Sequence, residues 1–322
     1  MQLPAHLRQA IEDQTAQCNP QALSQAAGEL SENYRARRSP KGRYISSDAH
    51  RLAYVVTRLP ATFAATHAVF AEIHRLLPTQ TITTLLDLGA GPGTASWSAT
   101  TVFRQLQDLT LIEQDEGLIA TGKSLAQSGN NDRLINANWT RADLRSTASF
   151  SPHDLVVSSY ALGELDPKSA KEVILKAWSA TQAAIAIIEP GTKIGFEYIR
   201  ELRTELIAQG GHILAPCPHQ NTCPIANDDW CHFAQRVDRS SQHRRIKSGT
   251  LGHEDEKFAY VVATKQPATP AQARILRHPT RRSGHTHLSL CTSQGIEETT
   301  VTRSDKKKWK RVRKINWGDA WI

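Results

Sequence analysis

The chain has 322 residues, 39% of them hydrophobic, which suits one or two folded domains and excludes a disordered chain. No apolar run approaches the length of a membrane span, so we expect no membrane association. The net charge of +8 lies in the C-terminal part, because residues 1–200 carry 19 Lys/Arg and 19 Asp/Glu whereas residues 201–322 carry 20 and 12. This asymmetry indicates a polyanionic partner, although a solubilising surface has the same composition.

The N-terminal segment has no apolar stretch of the kind that a secretory signal requires, and the acidic residues Glu12 and Asp13 follow it closely. Organellar transit peptides are poor in acidic residues, so this segment does not resemble one. We therefore expect a cytoplasmic protein, and we expect it to be a monomer. Cytosolic chains seldom form disulfides, so the three cysteines between residues 217 and 231 need another explanation.

Residues 1–80 are predicted to be helical. Apolar residues recur at the spacing of one helix face in residues 3–11 and again in residues 52–59. A basic stretch that is rich in turn-forming residues separates the two, at residues 34–43. We expect this N-terminal helical region to precede the main domain.

From residue 82 the pattern changes to short apolar runs that alternate with helical stretches. The predicted strands cover residues 84–88, 109–113, 154–158, 184–189, 212–215 and 258–263. Helices are predicted between them, for example at residues 95–106, 169–180 and 196–209. Such alternation predicts a parallel sheet covered by helices on both faces. The predicted domain at residues 81–265 includes a Cys/His-rich insert at 216–256, and a basic, β-rich appendage follows at 266–322.

The first predicted strand runs into the glycine-rich turn Asp87-Leu88-Gly89-Ala90-Gly91-Pro92-Gly93. Glycines let a chain turn sharply and let a ligand lie against its backbone. A dinucleotide site uses the spacing Gly-x-Gly-x-x-Gly, whereas this turn has Gly-x-Gly-x-Gly. S-adenosylmethionine (SAM) has no pyrophosphate, so it tolerates that spacing, and Asp87 suits its ammonium group. We predict a SAM site, the alternatives being another nucleotide fold or a plain tight turn.

Other residues extend the predicted SAM site. Glu113 ends the second strand, where a carboxylate holds two ribose hydroxyls, and Asp115 is a less favoured substitute. Asp143 lies in the loop that would read the adenine amino group, although a lone loop Asp is often a cap or turn residue. Ser158 ends the strand at residues 154–158. The fold class predicted is α/β, a Rossmann-like class I SAM-dependent methyltransferase fold.

No motif indicates the methyl acceptor. The segment after residue 158 lacks the Asn/Asp-Pro-Pro-Tyr motif that positions an exocyclic amine, and it lacks the Pro-Cys pair of cytosine-C5 enzymes. Ser158, Tyr160 and Glu164 are predicted to line the pocket, with a helix-start carboxylate as the alternative reading of Glu164. Positioning alone supports methyl transfer in some enzymes, so the missing motif does not exclude catalysis.

The insert carries Cys217, Cys223 and Cys231 at a C-x5-C-x7-C spacing, which differs from the C-x2–4-C pairs of common zinc fingers. Prolines flank Cys217 and Cys223, as they do around many iron–sulfur ligands. Cys291 in the appendage would complete four thiolates for a [4Fe–4S] cluster or a zinc ion, and the metal would then fasten the appendage to the insert. The alternative is a group of buried structural thiols. Cys18 is interpreted as an ordinary helix cysteine.

Residues 303–314 carry eight cations and one anion. Cations that neutralise phosphates, combined with an aromatic ring that stacks on bases, are typical of nucleic-acid surfaces. The alternative is a solvated charged face. We predict RNA or DNA binding by this tail, through Arg303, Lys306, Lys307, Lys308, Trp309, Lys310, Arg311, Arg313 and Lys314.

Four segments together are distinctive: the glycine-rich turn with Thr94 and Ala95, Ala215-Pro216-Cys217-Pro218-His219, Asp229-Trp230-Cys231-His232-Phe233, and Glu254-Asp255-Glu256-Lys257-Phe258-Ala259-Tyr260. With them the chain resembles the ribosomal small-subunit methyltransferase-like family, over about residues 35–322. The resemblance implies association with small-subunit ribosomal RNA (rRNA) during assembly, and SAM binding at the turn. It also implies a [4Fe–4S] cluster rather than zinc on Cys217, Cys223, Cys231 and Cys291.

Three functions are compatible with these features. The first is a SAM-dependent methyltransferase that acts on small-subunit rRNA or on a precursor of the small subunit. The second is a non-catalytic assembly factor that uses the same SAM pocket. The third is a small-molecule methyltransferase, which the basic C-terminal part disfavours.

Overall fold

A computed structural model of the chain describes residues 1–36, 44–226, 228–247 and 249–321. Most of the predicted basic loop at residues 34–43 lies outside the described residues. The helices are α1 (Ala5–Thr15), α2 (Pro20–Ala36), α3 (Asp48–Thr57), α4 (Leu59–Leu76), α5 (Thr94–Val102), α6 (Glu116–Ser128), α7 (Asp132–Ile135), α8 (Pro167–Ala180), α9 (Lys193–Ala208), α10 (Ser241–Ile246) and α11 (Lys306–Val312).

The strands form two sheets. Those of the larger sheet are β1 (Thr84–Leu88), β2 (Asp108–Glu113), β3 (Asn138–Arg141), β4 (His153–Ser159), β5 (Thr181–Pro190), β6 (His212–Ala215), β7 (Phe233–Asp238) and β8 (His253–Thr264). Those of the smaller sheet are β9 (Ala273–Ile275), β10 (Thr280–Arg281), β11 (His285–Thr292), β12 (Gly295–Thr302) and β13 (Ala320–Trp321).

The larger sheet has the strand order β3-β2-β1-β4-β5-β8-β6, and β7 pairs with the first half of β8. The strands from β3 to β5 are parallel, as predicted. The prediction of a wholly parallel sheet is wrong for β8, which runs antiparallel to β5, β6 and β7. A parallel neighbour needs a long crossover, usually a helix. Between β6 and β8 the described residues contain one helix, the six-residue α10. So short a helix does not supply such a crossover, and β8 pairs antiparallel instead.

The central strands are buried on both faces. Alternate residues of β1 enter different apolar layers, since Leu85 belongs to one core cluster and Leu86 and Leu88 to another. Helices α1, α3 and α4 supply much of the first layer, and α8 and α9 supply much of the second. Side-chain N-caps mark the starts of two of these helices. Asp166 accepts a hydrogen bond from Ser169 N at the start of α8, and Thr192 accepts one from Gly195 N at the start of α9. The result is a three-layer α/β unit.

All six predicted strands are present, and β1 and β6 have the predicted limits. Two strands of the larger sheet were not predicted. Strand β3 is a short edge strand, mostly exposed, with the sequence Asn-Trp-Thr-Arg, so it lacks an apolar run. Strand β7 lies inside the Cys/His-rich insert and is likewise mixed in polarity. Short edge strands are held by pairing to a longer neighbour, which a local sequence pattern does not reveal.

The smaller sheet has a core of its own, formed by Ala273, Ile275, Leu288, Leu290, Val301, Val312 and Ile315. Its longest pair is the hairpin of β11 and β12, which lies in the appendage predicted to be β-rich. The basic tail forms the short helix α11, which was not predicted. Val312 is the fully buried residue of that helix, and it anchors α11 on the core of this sheet.

Arg274 joins the smaller sheet to the rest of the molecule. Its side chain is only 2% exposed. The guanidinium donates to Glu72 Oε1 of α4 at 2.6 Å, to Pro216 O of the insert at 2.9 Å and to Gly318 O near the C-terminus at 2.9 Å. One buried cation therefore holds segments from three parts of the chain.

We predict that Arg274→Met lowers the free energy of unfolding by about 3 kcal/mol, because it leaves the partly buried Glu72 without this partner and two carbonyl groups without donors. Chemical denaturation measures the change. The matched control is Arg282→Met, which removes an exposed arginine directly after β10 and should change stability by less than about 0.5 kcal/mol. Equal effects of the two substitutions would contradict the linking role of Arg274.

Candidate functional site

The glycine-rich turn follows β1 at the carboxyl edge of the sheet. Gly89, Gly91 and Gly93 have φ values of +70°, +55° and +79°, which L side chains rarely adopt. The backbone N–H groups of Gly89 and Ala90 both donate to Ile112 O of β2, at 2.9 and 3.0 Å. A Cβ at Gly89 would lie 2.4 Å from Ala161 Cβ. The turn is therefore tight and requires glycine at its first position.

The Asp87 carboxyl group lies inside the protein, 1% exposed. Its Oδ2 accepts hydrogen bonds from Ser96 Oγ at 2.7 Å and from Ser96 N at 3.2 Å. Burial raises the pKa of Asp87 to about 7. This carboxyl group therefore holds the first turn of α5 in place. Its predicted role toward a ligand ammonium group stays a prediction.

Glu113 at the end of β2 lies beside the turn. Its Oε2 accepts from Gly91 N at 2.9 Å, and its Oε1 accepts from Asp115 N at 2.8 Å. Burial raises the pKa of Glu113 above its ordinary value, although these backbone N–H groups oppose the shift. The structure thus brings Glu113 and the glycine-rich turn together, and the role of Glu113 toward ribose hydroxyls stays a prediction.

The two other predicted cofactor contacts differ in exposure. Asp143 is half-buried and pairs with the Arg145 guanidinium, which lowers the pKa of the Asp143 carboxyl. Ser158 is 1% exposed and donates to Leu88 O at 3.3 Å. Asp143 follows β3, which borders β2, and Ser158 is the second-last residue of β4, which borders β1, so both lie at the same edge of the sheet as the turn.

Tyr160 follows β4 with a φ of +59°, an uncommon conformation for a residue with a side chain. Its N–H donates to Ile188 O at 2.8 Å, and its hydroxyl donates to Glu256 Oε1 of β8 at 2.8 Å. Burial is the main cause of the raised pKa values of both Tyr160 and Glu256. Backbone strain of this kind concentrates at functional sites.

Glu164 lies in the short helical turn after β4. Its side chain is exposed, yet loss of solvation raises the pKa of its carboxyl group to about 8, with help from the charges of Glu113 and Glu189. The Tyr34 hydroxyl of α2 hydrogen-bonds to this carboxyl group.

Side chains of the N-terminal helices cover this edge of the sheet, which the sequence did not indicate. Arg51 of α3 pairs with both carboxylate oxygens of Asp115, at 2.8 and 3.0 Å. The Tyr54 hydroxyl lies 4.0 Å from where a Cβ on Gly91 would be. The Arg58 guanidinium lies 5.7 Å from the ring centre of Tyr34. The region that was predicted only as helices therefore forms one wall of the site.

The four cysteines of the predicted metal site lie near one another. The Cys231 thiol interacts electrostatically with the thiols of Cys217, Cys223 and Cys291, and burial with these neighbours raises its pKa well above its ordinary value. The side chains are half-buried, except for the buried Cys291, and none forms a disulfide. Within the described ranges, no group of three or more His, Cys, Asp or Glu residues is arranged to hold a metal ion. The metal assignment of this insert thus stays a prediction.

Two polar side chains, those of Arg203 and His219, lie beside the thiols. Arg203 of α9 is 4% exposed, donates to His219 O at 2.8 Å and hydrogen-bonds to Cys217. His219 Nε2 lies 3.6 Å from Cys291 Sγ. Arg203 Nε and His219 Nδ1 are buried without a hydrogen-bond partner among the described residues. A buried cation with an unused donor beside four thiols suits a negatively charged group.

The predicted nucleic-acid tail lies on and around α11. Two of its cations lie over aromatic rings, Arg303 at 5.8 Å from the centre of Trp309 and Arg311 at 5.6 Å from the centre of Trp321. The exposed cations of the tail are those of Arg303, Lys306, Lys307, Lys308, Lys310, Arg313 and Lys314. The structure therefore presents these cations to solvent on α11 and on the residues that flank it.

The strand order and the glycine-rich edge define an α/β protein with a methyltransferase-like fold. A family model described as mitochondrial small ribosomal subunit Rsm22 matches residues 48–322. The chain belongs to this family, and the resemblance stated from its motifs is confirmed. No helix in the described ranges is both long and apolar enough to cross a membrane.

Individual relatives agree with this family. The ribosome assembly protein METTL17, mitochondrial, of Homo sapiens is 27% identical in an alignment that covers 83% of this chain and 61% of that protein. The Rsm22-cox11 tandem protein 2, mitochondrial, of Schizosaccharomyces pombe is 25% identical, over 85% of this chain and 43% of that protein. The chain thus spans less than two thirds of the length of these relatives.

Among solved structures, that of magnesium protoporphyrin IX methyltransferase of Synechocystis PCC 6803 is 11% identical, with a TM-score of 0.43, over 64% of this chain and 84% of that one.

The expectation of a cytoplasmic protein is wrong. Both the family and these two relatives are described as mitochondrial. The expectation depended on the composition of the first residues, and composition near an N-terminus is a weak guide to the compartment in which a chain works.

We predict that Gly89→Ala lowers the free energy of unfolding by about 2–4 kcal/mol, because it combines a strained φ with a collision against Ala161. Gly210→Ala is the matched control, since its φ is +77° and nothing lies within 4 Å of the added Cβ. The control should lower stability by only about 1–2 kcal/mol. If chemical denaturation gives the same loss for both variants, close packing at the turn is not what requires glycine.

Proposed function

We propose that this chain binds SAM at the glycine-rich turn and methylates small-subunit rRNA, or a precursor of the small subunit, during ribosome assembly. One observation carries the proposal: the turn, Glu113 and the acceptor-side residues Tyr160 and Glu164 lie at one edge of the sheet. That edge lies outside the carboxyl ends of β1 and β4, where the direction of strand order changes, and open α/β sheets bind ligands at such a point.

In this proposal the backbone of residues 89–93 lies against the amino-acid part of SAM. Glu113 accepts hydrogen bonds from the ribose hydroxyls, and Asp143 reads the adenine amino group. Ser158 borders the methionine part, and Asp87 acts through the first turn of α5, with which it is already bonded. Tyr160 and Glu164 line the acceptor side, where the chain supplies orientation rather than a nucleophile.

The basic tail supports rRNA as the partner. Its exposed lysines and arginines would neutralise phosphates, and Trp309 would offer a ring for stacking. The names of the family and of the human relative point the same way, since they refer to the small ribosomal subunit and to ribosome assembly.

A second candidate is a SAM-binding assembly factor without catalytic activity. It is favoured by the segment that begins at the last residue of β4, Ser159-Tyr160-Ala161-Leu162-Gly163-Glu164, which has neither an Asn/Asp-Pro-Pro-Tyr motif nor a cysteine. In that case SAM would stabilise the fold around the pocket, and its binding energy would be coupled to folding.

We expect loss of the gene to remove at least one methyl mark from small-subunit rRNA, and we expect the wild-type chain to restore it. Gly91→Asp should not restore the mark, because an L side chain is strained at the φ of +55° there and the added group would lie on the turn against which SAM is proposed to bind, with the Tyr54 hydroxyl 4.0 Å from its Cβ. The measurement is methylation profiling together with sedimentation of ribosomal subunits, with Gly252→Asp as the control at an exposed loop glycine with open space around it. Normal marks with defective subunits would instead establish the assembly factor.

We further propose that Cys217, Cys223, Cys231 and Cys291 hold a [4Fe–4S] cluster. The proximity of the four thiols and the buried Arg203 beside them support it, since the guanidinium would offset the charge of a thiolate-bound cluster. A cluster is also larger than a single ion, so its ligands lie further apart than the roughly 4 Å between thiolates on one zinc. Its role would be structural, because it would connect the insert, which carries three of the thiols, to β11, which carries the fourth.

Anaerobic purification should give a coloured protein with about four iron atoms per chain. Cys223→Ser should lose the colour and most of the iron, whereas Cys18→Ser, outside the group, should keep both. Iron and acid-labile sulfide analysis measures the result. A colourless wild-type protein with one zinc ion would overturn the cluster, and it would leave the grouping of the thiols unchanged.

A further inference from the structure

Strand β3 places one large ring against the end of the glycine-rich turn. Trp139 of this strand lies opposite Leu111 in the register of β2 and β3. A Cβ added to Gly93 would lie 3.2 Å from Trp139 Cη2 and 3.3 Å from Leu111 Cδ2. Carbon atoms in favourable contact are about 3.5–4.0 Å apart. The missing side chain of Gly93 is therefore what lets the indole lie against the turn.

Helix α6 meets the same indole and the same turn. A Cβ added to Gly122, within this helix, would lie 2.5 Å from Trp139 Cη2 and 2.9 Å from Pro92 O. Glycine inside a helix costs about 1 kcal/mol relative to alanine. The close contact explains why glycine stands here, because the tip of the indole and the Pro92 carbonyl both lie against the bare backbone of α6.

The indole contributes its size to this contact, and no hydrogen bond. Trp139 Nε1 is buried and has no hydrogen-bond partner among the described residues. The ring packs with the apolar side chains of the first core layer. In close-packed surroundings a change of one or two carbon atoms is felt by the neighbours. The size of the ring therefore determines where Pro92 and Gly93 lie.

The two ends of the turn are held in different ways. Hydrogen bonds to β2 hold its first part, since Gly89 N and Ala90 N donate to Ile112 O and Gly91 N donates to Glu113 Oε2. Proline at position 92 has no N–H to donate, and Gly93 N donates to Ala90 O within the turn itself. The contacts of this second part with β3 and α6 are packing contacts, and Trp139 supplies the largest side chain among them.

We propose that Trp139 is a positioning residue for SAM: its indole, packed against Gly93 and Gly122, holds the end of the glycine-rich turn where the cofactor binds. The inference rests on the proposed SAM site and adds a residue of the edge strand β3 to it. Trp139 acts through the turn and does not touch SAM. A turn that is held in place before binding costs less to order, so the packing of the ring contributes to SAM affinity.

Trp139→Phe tests the proposal, because it removes the outer ring atoms, including Cη2, and sacrifices no hydrogen bond. We expect SAM affinity, measured by isothermal titration calorimetry on the full chain, to fall about tenfold as the turn loses its support. Chemical denaturation of the same protein measures the accompanying loss of stability.

The matched control is Trp97→Phe. Trp97 of α5 is 3% exposed, and its Nε1 also lacks a hydrogen-bond partner in the described ranges. Its Cη2 lies 2.7 Å from where a Cβ on Gly129 would be, seven residues and therefore about 10 Å along α6 from Gly122. This variant should lose at least as much stability as Trp139→Phe and change SAM affinity less than about twofold.

A second pair of variants acts from α6. Gly122→Ala places a methyl group against the indole tip and should also weaken SAM binding about tenfold. Gly129→Ala, whose methyl group would meet Trp97 instead, is its control. In the Trp139→Phe background the ring atom that Gly122→Ala meets is absent, so this second substitution should cost less affinity than it does alone. A general loss of stability does not produce such non-additivity.

Unchanged SAM affinity in both Trp139→Phe and Gly122→Ala would overturn the positioning role while leaving SAM binding intact. Equal losses of affinity in the Trp97 and Gly129 controls would overturn it as well. If Trp139→Phe does not fold, the comparison of Gly122→Ala with Gly129→Ala still decides. Failure of the wild-type chain to bind SAM would instead refute the proposed SAM site, and this inference with it.

Discussion

The buried guanidinium of Arg274 is the interaction on which the arrangement of the molecule depends. It satisfies Glu72 on α4, Pro216 O beside the first cysteine of the insert, and Gly318 O near the C-terminus. In the β9–β11 register Arg274 lies opposite Cys291. The ion pair that attaches the smaller sheet is therefore adjacent to the cysteine group. A charge is kept in this apolar surrounding because three partners compensate its loss of solvation.

The other organising constraint is the carboxyl edge of the larger sheet. Parallel strands deliver their ends to one edge, so Glu113, Tyr160 and Glu189 converge although they are far apart in the chain. The N-terminal helices then cover that edge through Arg51, which pairs with Asp115, and through Tyr34, which bonds to Glu164. Burial at this edge raises the pKa of Glu113 above its ordinary value.

The sequence predicts correctly those features that depend on residues close together in the chain. The limits of β1 follow from a short apolar run that ends at a glycine-rich turn, and the positive φ values at Gly89, Gly91 and Gly93 are what that turn required. The sequence does not predict elements that depend on segments adjacent in space but distant in the chain. Strand β3 is held by pairing with β2, and the direction of β8 depends on which strands it joins. Helix α11 forms on the core of the smaller sheet, where only Val312 of the helix is fully buried.

The sequence by itself determined the α/β alternation, the glycine-rich turn, the carboxylate at the end of β2, the cysteine set and the excess of positive charge in the C-terminal part. These are properties of composition and of short-range geometry, which a linear pattern records. Only the tertiary structure decided that α2 and α3 form a wall of the pocket, that the Tyr34 hydroxyl bonds to Glu164, and that Arg274 links three segments. Solvation and electrostatic energy depend on distances through space, and residues that are far apart in sequence set those distances.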